Sequence, residues 1–383
     1  MNKPTVQDIF RCFYPAYLEK YSPSPEQAKV ARNILNCKTG AYGANVSVCE
    51  DCGAVQIHYN SCCNRCCPMC QAVPKEMWMD ARREDVLDAP YFHLVFTVPD
   101  ILNPIIYNNQ KLLYDILYHA ASATISELTA DPKHLGADVG YICILHTWGS
   151  EMNFHPHIHT ILLGGGLTSK NEWKDNGTAF FLPIWAISKV FRGKYMDELK
   201  NLWNTNQLEF HGTAEKYRNH YAFKELIDFC YDAEWIPYCK KTFNGAQSVI
   251  DYLGKYTHRI AISNHRIICM DDGNVTFSVK DYRNKGQWKE LTLSGVEFIR
   301  RFLMHVPPKR FVRIRHYGLL CSRSKHKKLA LCRNLLGCQK YLSKLRGKEM
   351  PEILKQLYEI NICVCKSCGG HLGKPQLRKP QRC

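Results

Sequence analysis

The chain has 383 residues, 45% of them hydrophobic and 22% charged, which suits a globular protein with a sizeable core and two or three domains. No apolar run approaches the ~18 residues of a membrane helix, and the start, Met1-Asn2-Lys3-Pro4, lacks the apolar segment of a secretory signal. A cytoplasmic location is expected, where thiols stay reduced, so the 20 cysteines read as metal ligands rather than disulfides. The net charge is +16, from 51 basic and 35 acidic residues, and it is uneven. Residues 281–383 hold 24 Lys+Arg and 6 Asp+Glu (+18), leaving 27 and 29 (−2) for the rest. A basic block of this size points to a polyanion, with nucleic acid favoured because no long basic amphipathic helix suits a membrane surface.

In chain order, Ser24-Pro25-Glu26 introduces a helical pattern around Gln27–Leu35, since serine caps well and proline fits the first helical position. Cys49-x2-Cys52-Gly53 and Cys67-Pro68-x-Cys70 are two knuckles whose four thiolates suit one closed tetrahedral Zn²⁺ site. His58, Cys62, Cys63 and Cys66 exceed the needs of one ion and stay unassigned. A helical connector (76–87), a buried strand (91–99), a helix (111–128) and a second strand (140–148) follow. Next comes a strand bearing His155, His157 and His159, closed by Gly164-Gly165-Gly166. Side chains alternate along a strand, so His157 and His159 share a face and form half of a divalent-metal site. His155 lies roughly 13 Å from His159 and is too far to share the ion. His146 and His93 are both candidates for the missing ligand.

Residues 183–208 read as helical, and 245–259 as a helix on which Tyr252 and Tyr256, four apart, are neighbours. Gly254 between them weakens that helix and leaves room for another backbone or a nucleic-acid strand. Short strands at 266–270, 275–280 and 291–293 lead to a helix at 295–304. In the segment 306–320, Lys309, Arg310, Arg313 and Arg315 suit phosphates while Phe311 or Tyr317 suits base stacking, a pattern for single strands. Arg323 to Lys328 extends it. Cys365-x2-Cys368 near Cys363 is a last half-site, with Cys383, or Cys332 and Cys338, as possible partners.

These motifs together resemble the IS91-type transposases, two-tyrosine members of the HUH endonuclease superfamily. The resemblance rests on the two knuckles with Asn60-Ser61-Cys62 and Asn64-Arg65, on residues 92–99, and on His146-Thr147-Trp148-Gly149. His155-Pro156-His157-Ile158-His159, Tyr252-Leu253-Gly254-Lys255-Tyr256 and Arg313 to Gly318 complete it, in the expected order over residues ~25–320. The chain departs at Cys66 and Cys63, where the family commonly carries a histidine and a basic residue; the second set of zinc ligands is left open.

The resemblance implies an α+β fold: a ferredoxin-like HUH domain, an antiparallel sheet with helices on one face, plus an N-terminal Cys-rich zinc-binding module and a basic C-terminal region. The expected division is 1–75 for the N-terminal helix and zinc module, 76–280 for the catalytic domain, 281–350 for the basic DNA-binding region and 351–383 for the knuckle and tail. The implied activity is cleavage and rejoining of single-stranded DNA at insertion-sequence ends. It would run through 5′-phosphotyrosines on Tyr252 and Tyr256, with Mg²⁺ or Mn²⁺ on His157 and His159 and structural Zn²⁺ on Cys49, Cys52, Cys67 and Cys70. Lys309, Arg310, Arg313 and Arg315 would bind DNA. The rivals are an HUH replication initiator or relaxase, and a non-catalytic zinc protein that binds nucleic acid.

Overall fold

A computed structural model describes residues 3–176, 182–235, 237–241, 246–257, 260–281 and 286–380. Two helices open the chain, α1 (Val6–Lys20) and α2 (Pro25–Asn36), each started by a capping box, Thr5 with Asp8 and Ser24 with Gln27. The hairpin β1 (Ala44–Val48) and β2 (Val55–Tyr59) precedes α3 (Ala72–Arg83). The central segment runs β3 (Tyr91–Thr97), α4 (Asn103–Asn108), α5 (Gln110–Ala130), β4 (Asp138–Trp148), β5 (Phe154–Leu167) and β6 (Trp173–Asp175). It continues with α6 (Ile184–Asn204), α7 (His220–Asp232), β7 (Tyr238–Lys241) and α8 (Ala246–Thr257). Then follow β8 (Ile267–Asp271), β9 (Asn274–Asp281), β10 (Gln287–Ser294), α9 (Gly295–Met304), β11 (Ile314–Gly318), α10 (Lys325–Leu336), α11 (Met350–Tyr358) and β12 (Gln376–Arg378).

The α+β class is as read from sequence. The main sheet is antiparallel in the order β11-β4-β5-β3-β7, with β6 beside the end of β5. Alternation along the strands divides its two faces. Phe92, Leu94, Phe96, Leu145, Ile158 and Leu162 turn to one face and form a core with α5, α6 and α7. The opposite face carries the histidines at one end and Ile142, Ile144, Ile161 and Leu163 at the other. There α3, α8 and α10 cover the apolar half.

The glycine triplet does not end β5, which runs on to Leu167. A Cβ on Gly166 would stand 2.3 Å from the Asp138 carbonyl oxygen, and one on Gly164 2.9 Å from that of Pro90. The glycines therefore mark close backbone approach rather than a turn.

A second core joins the start of the chain to its later part. Val6, Ile9, Phe10, Val30 and Ile34 of α1 and α2 pack with Ile267, Phe277, Phe298 and Phe302 of β8, β9 and α9. Phe10 meets Phe302 edge-on at 5.4 Å. The chain ends also meet, because β12 adds antiparallel to β1. Among the described residues, no helix is long and apolar enough to cross a membrane.

Candidate metal centres and catalytic site

The register of the sheet builds the first site. His146 on β4 stands opposite His157 on β5. The ligand nitrogens of His146, His157 and His159 all lie within 4.8 Å of one another. His146 thus stands where a third ligand is needed, and His93 takes a different place. The His157 Nε2 and His159 Nε2 atoms are 3.0 Å apart. His157 Nδ1 donates to the His155 carbonyl at 2.6 Å, which leaves its Nε2 lone pair aimed into the cluster. His155 itself turns to Asp100, at 3.1 Å, outside the group.

Burial keeps His157 and His159 neutral. It pushes His157 down to about 3 and His159 well below its ordinary value, with the neighbouring imidazoles adding to both shifts. Neutral, convergent imidazoles suit a divalent metal cation.

Helix α8 brings the phenol to this face. Val249 and Ile250 pack against the apolar half of the sheet beside α3. That seats Tyr252 with its Oη 2.5 Å from His93 Nε2 and 3.0 Å from His159 Nδ1. His93 Nε2 and His159 Nδ1 are 2.9 Å apart. If His159 uses Nε2 for a metal, its Nδ1–H donates to the phenol oxygen, and the phenol O–H donates to His93. Burial holds His93 down at about 4, so the ring is neutral, and in its Nδ1–H tautomer Nε2 is the acceptor this arrangement needs. Tyr256 lies one turn further along α8; its side chain, and residues 245, 258 and 259 of the same sequence stretch, fall outside the described residues. The space beside Gly254 is taken by protein rather than left for a ligand. A Cβ there would meet Met79 Sδ of α3 at 2.1 Å.

The cysteines form two clusters, and the expectation of one four-thiolate site is corrected. Cys67 and Cys70 group with Cys37 and Cys62, whereas Cys49 and Cys52 group with Cys365 and Cys368. The two knuckles face different partners because β1 and β2 carry the first toward the C-terminal segment while Cys37, at the end of α2, meets the second. Cys62 Sγ and Cys70 Sγ are 3.7 Å apart. Hydrogen bonds from Cys62 and Cys67 hold the Cys70 thiol far below its ordinary range, toward the thiolate a metal takes. Cys63, Cys66 and His58 join neither group. Cys332 lies in the core under the main sheet with Cys338 against it, and Cys383 lies outside the described residues. Sequence reasoning missed Cys37 altogether; its place just after a helix carries no spacing signal.

The basic segment also divides. Lys309 and Arg310 are exposed and line a groove of about 750 Å³ with Lys29, Arg32 and Arg65. Arg313 is buried, its guanidinium 5.8 Å from the centre of the Trp148 ring, which in turn stacks on His146 at 4.6 Å. Arg315 pairs with Asp115 and lies 4.0 Å over Tyr118. Phe311 is buried in the first core and Tyr317 stacks on Tyr141 at 5.2 Å. The reading of Arg313, Arg315, Phe311 and Tyr317 as a strand-binding surface is therefore corrected. Arg315 and Tyr317 on β11, and Phe311 and Arg313 just before it, are turned toward protein.

Two family models match the chain: "Putative transposase" over residues 140–328 and "Transposase zinc-binding domain" of IS91 type over residues 9–98. "Putative transposase y4qJ" of Sinorhizobium fredii is 41% identical over 336 residues, 87% of this chain and 84% of the relative. The chain belongs to the IS91-type transposase family. The "Transposase for insertion sequence element IS801" of Pseudomonas savastanoi pv. phaseolicola is 30% identical over 78% of this chain and 71% of its own. Among solved structures, a conjugative relaxase, TRWC, in complex with oriT DNA is similar over 67% of this chain and 96% of that one, at 13% identity and a TM-score of 0.26. The zinc-binding match covers Cys37, Cys62, Cys67 and Cys70 together with Cys49 and Cys52, but stops well before Cys365 and Cys368. The transposase match contains the three-imidazole cluster and Tyr252 but not His93, which falls in the other match.

Proposed function

We propose that this transposase cuts and rejoins single-stranded DNA at the ends of an insertion sequence by rolling-circle-like transposition in the cytoplasm, with Tyr252 as a nucleophile. The observation that carries the reading is the 3.0 Å contact of the Tyr252 hydroxyl with His159, a member of the three-imidazole cluster. His146, His157 and His159 would hold Mg²⁺ or Mn²⁺, which when bound polarises a scissile phosphate.

The chain's own groups do the rest. His93 accepts the phenol proton at Nε2 as the Tyr252 oxygen attacks phosphorus. The new Tyr–O–P bond replaces the P–O3′ bond, leaving a 5′-phosphotyrosine and a 3′-OH. Because the diester energy is kept, a 3′-OH can later attack the phosphotyrosine and rejoin strands without another energy source. Tyr256, one helical turn away, would take a second end while Tyr252 holds the first. Lys309 and Arg310 would hold backbone phosphates from the basic groove. In this reading residues 1–75 and 351–383 supply zinc-bound structure, 76–280 the chemistry and 281–350 further DNA contacts.

Labelled single-stranded end DNA tests the proposal. Wild-type protein with Mn²⁺ is expected to form a covalent adduct that Tyr252→Phe and Tyr256→Phe each reduce and the double variant abolishes. An undiminished adduct in the double variant would overturn it.

A further inference from the structure

The first knuckle and the last are near copies that face each other. Gly53, at φ +72°, donates its N–H to the Cys49 carbonyl at 3.0 Å; Gly369, at φ +77°, donates to that of Cys365 at 2.9 Å. Both glycines occupy the left-handed region that closes such a turn. The amides of Ser367 and Gly370 each donate to a sulfur, Cys365 Sγ and Cys368 Sγ, at 3.4 Å.

The backbones are fitted together as well. Gly373 donates to the Val48 carbonyl at 2.9 Å and Glu50 to that of His371 at 3.0 Å, and β12 continues the pairing along β1. Asp51 Oδ2 accepts the His371 amide at 3.2 Å and lies where a Cβ on Gly370 would be 1.8 Å away, so a side chain there would displace this contact.

Across this joint, Cys49 Sγ stands 3.6 Å from Cys368 Sγ and Cys52 Sγ 3.8 Å from Cys365 Sγ. A tetrahedron with Zn–S bonds of about 2.3 Å has sulfur–sulfur edges of about 3.8 Å. A disulfide would need about 2.05 Å.

We infer that Cys49, Cys52, Cys365 and Cys368 form a second zinc site, split between the N-terminal hairpin and the C-terminal tail, so that the chain holds two structural zinc ions. The first ion sits on Cys37, Cys62, Cys67 and Cys70. Loading is balanced as Zn²⁺ plus four thiols giving one tetrathiolate complex of charge −2 and four released protons.

The joint has little else to hold it. Its apolar core is Cys49, Cys365 and Leu372 with Ala54 against them, and all three residues of β12 are exposed. Three backbone pairs on an edge strand are marginal in water, so the metal supplies the docking energy of the tail. This inference does not depend on the tyrosine chemistry.

Zinc counting on the full chain by native mass spectrometry tests it. In a His157→Ala/His159→Ala background, so that the imidazole cluster takes no zinc, two ions are expected with all cysteines intact. One is expected on adding Cys365→Ser/Cys368→Ser, on adding Cys49→Ser/Cys52→Ser, and again on adding all four, because both pairs serve one ion. Two ions retained after either pair is replaced, or a single ion with all cysteines intact, would overturn the inference. A second measurement guards against misfolding: limited trypsin digestion at Lys366. Cys49→Ser/Cys52→Ser, altered more than 300 residues away, is expected to expose that bond as fully as chelation does; protection equal to wild type would also overturn it.

Discussion

The Tyr252 hydroxyl lies 2.5 Å from His93 Nε2, closer than it lies to any other ring nitrogen for which a contact is described. In the proposed chemistry His93 is therefore placed to receive the proton that leaves Tyr252. Replacing His93 with alanine is expected to slow adduct formation by about 10² to 10⁴-fold, the range of general-base assistance. Binding of Mn²⁺, followed by calorimetry, is expected to weaken far less. Equal losses of both would assign His93 to the metal instead.

His146→Ala removes one of three convergent imidazoles. Outer-shell partners of metal ligands already account for about 10 to 100-fold in affinity. Loss of a ligand is expected to exceed that, while the circular dichroism spectrum stays that of the wild type. Calorimetric titration with Mn²⁺ checks the first outcome.

Arg313 and Lys309 should separate stability from DNA binding. Arg313 is buried against Trp148, and Arg313→Ala is expected to destabilise by about 2–4 kcal/mol through lost packing and the lost contact with that ring. Lys309→Ala and Arg310→Ala leave the core untouched. Each is expected to lower affinity for single-stranded DNA and to reduce the slope of log K against log salt by about 0.7. Thermal melts and binding isotherms at several salt concentrations distinguish the two classes.

The buried imidazoles also set a pH dependence. Burial lowers His305 and His316 to about 4 and His157 to about 3, against an ordinary 6.5. Unfolded chains take up these protons as pH falls below 6.5, whereas the folded protein resists until about 4 or lower, so stability falls with pH through that window. Near pH 5 each such imidazole costs about 2 kcal/mol relative to pH 8. Melting temperatures of metal-free protein are expected to drop steadily from pH 7 to pH 5. A flat profile would place these rings in contact with water.

Much of the candidate site was legible because it depends on local periodicity. Two histidines two residues apart on an apolar strand must share a face, and Ser24-Pro25 announces its helix by chemistry confined to one turn. What could not be read depends on register and on chain topology. His146 becomes the third imidazole only because β4 pairs with β5 so that it stands opposite His157. The x2 spacing of Cys49 and Cys52 reveals a half-site, but nothing local says that the other half lies on a tail over 300 residues later. Arg313 and Arg315 looked like a phosphate surface because charge in a sequence carries no direction, and the pairing of β11 with β4 supplied it.

The pairing of β1 with β12 has a consequence for how the protein is made. During synthesis the hairpin emerges early and must wait, one edge open, until β12, more than 300 residues later, has been translated. A prematurely terminated polypeptide would keep its imidazole cluster and its tyrosine helix yet leave that edge bare, marking the unfinished product by an exposed strand and two unsatisfied thiols.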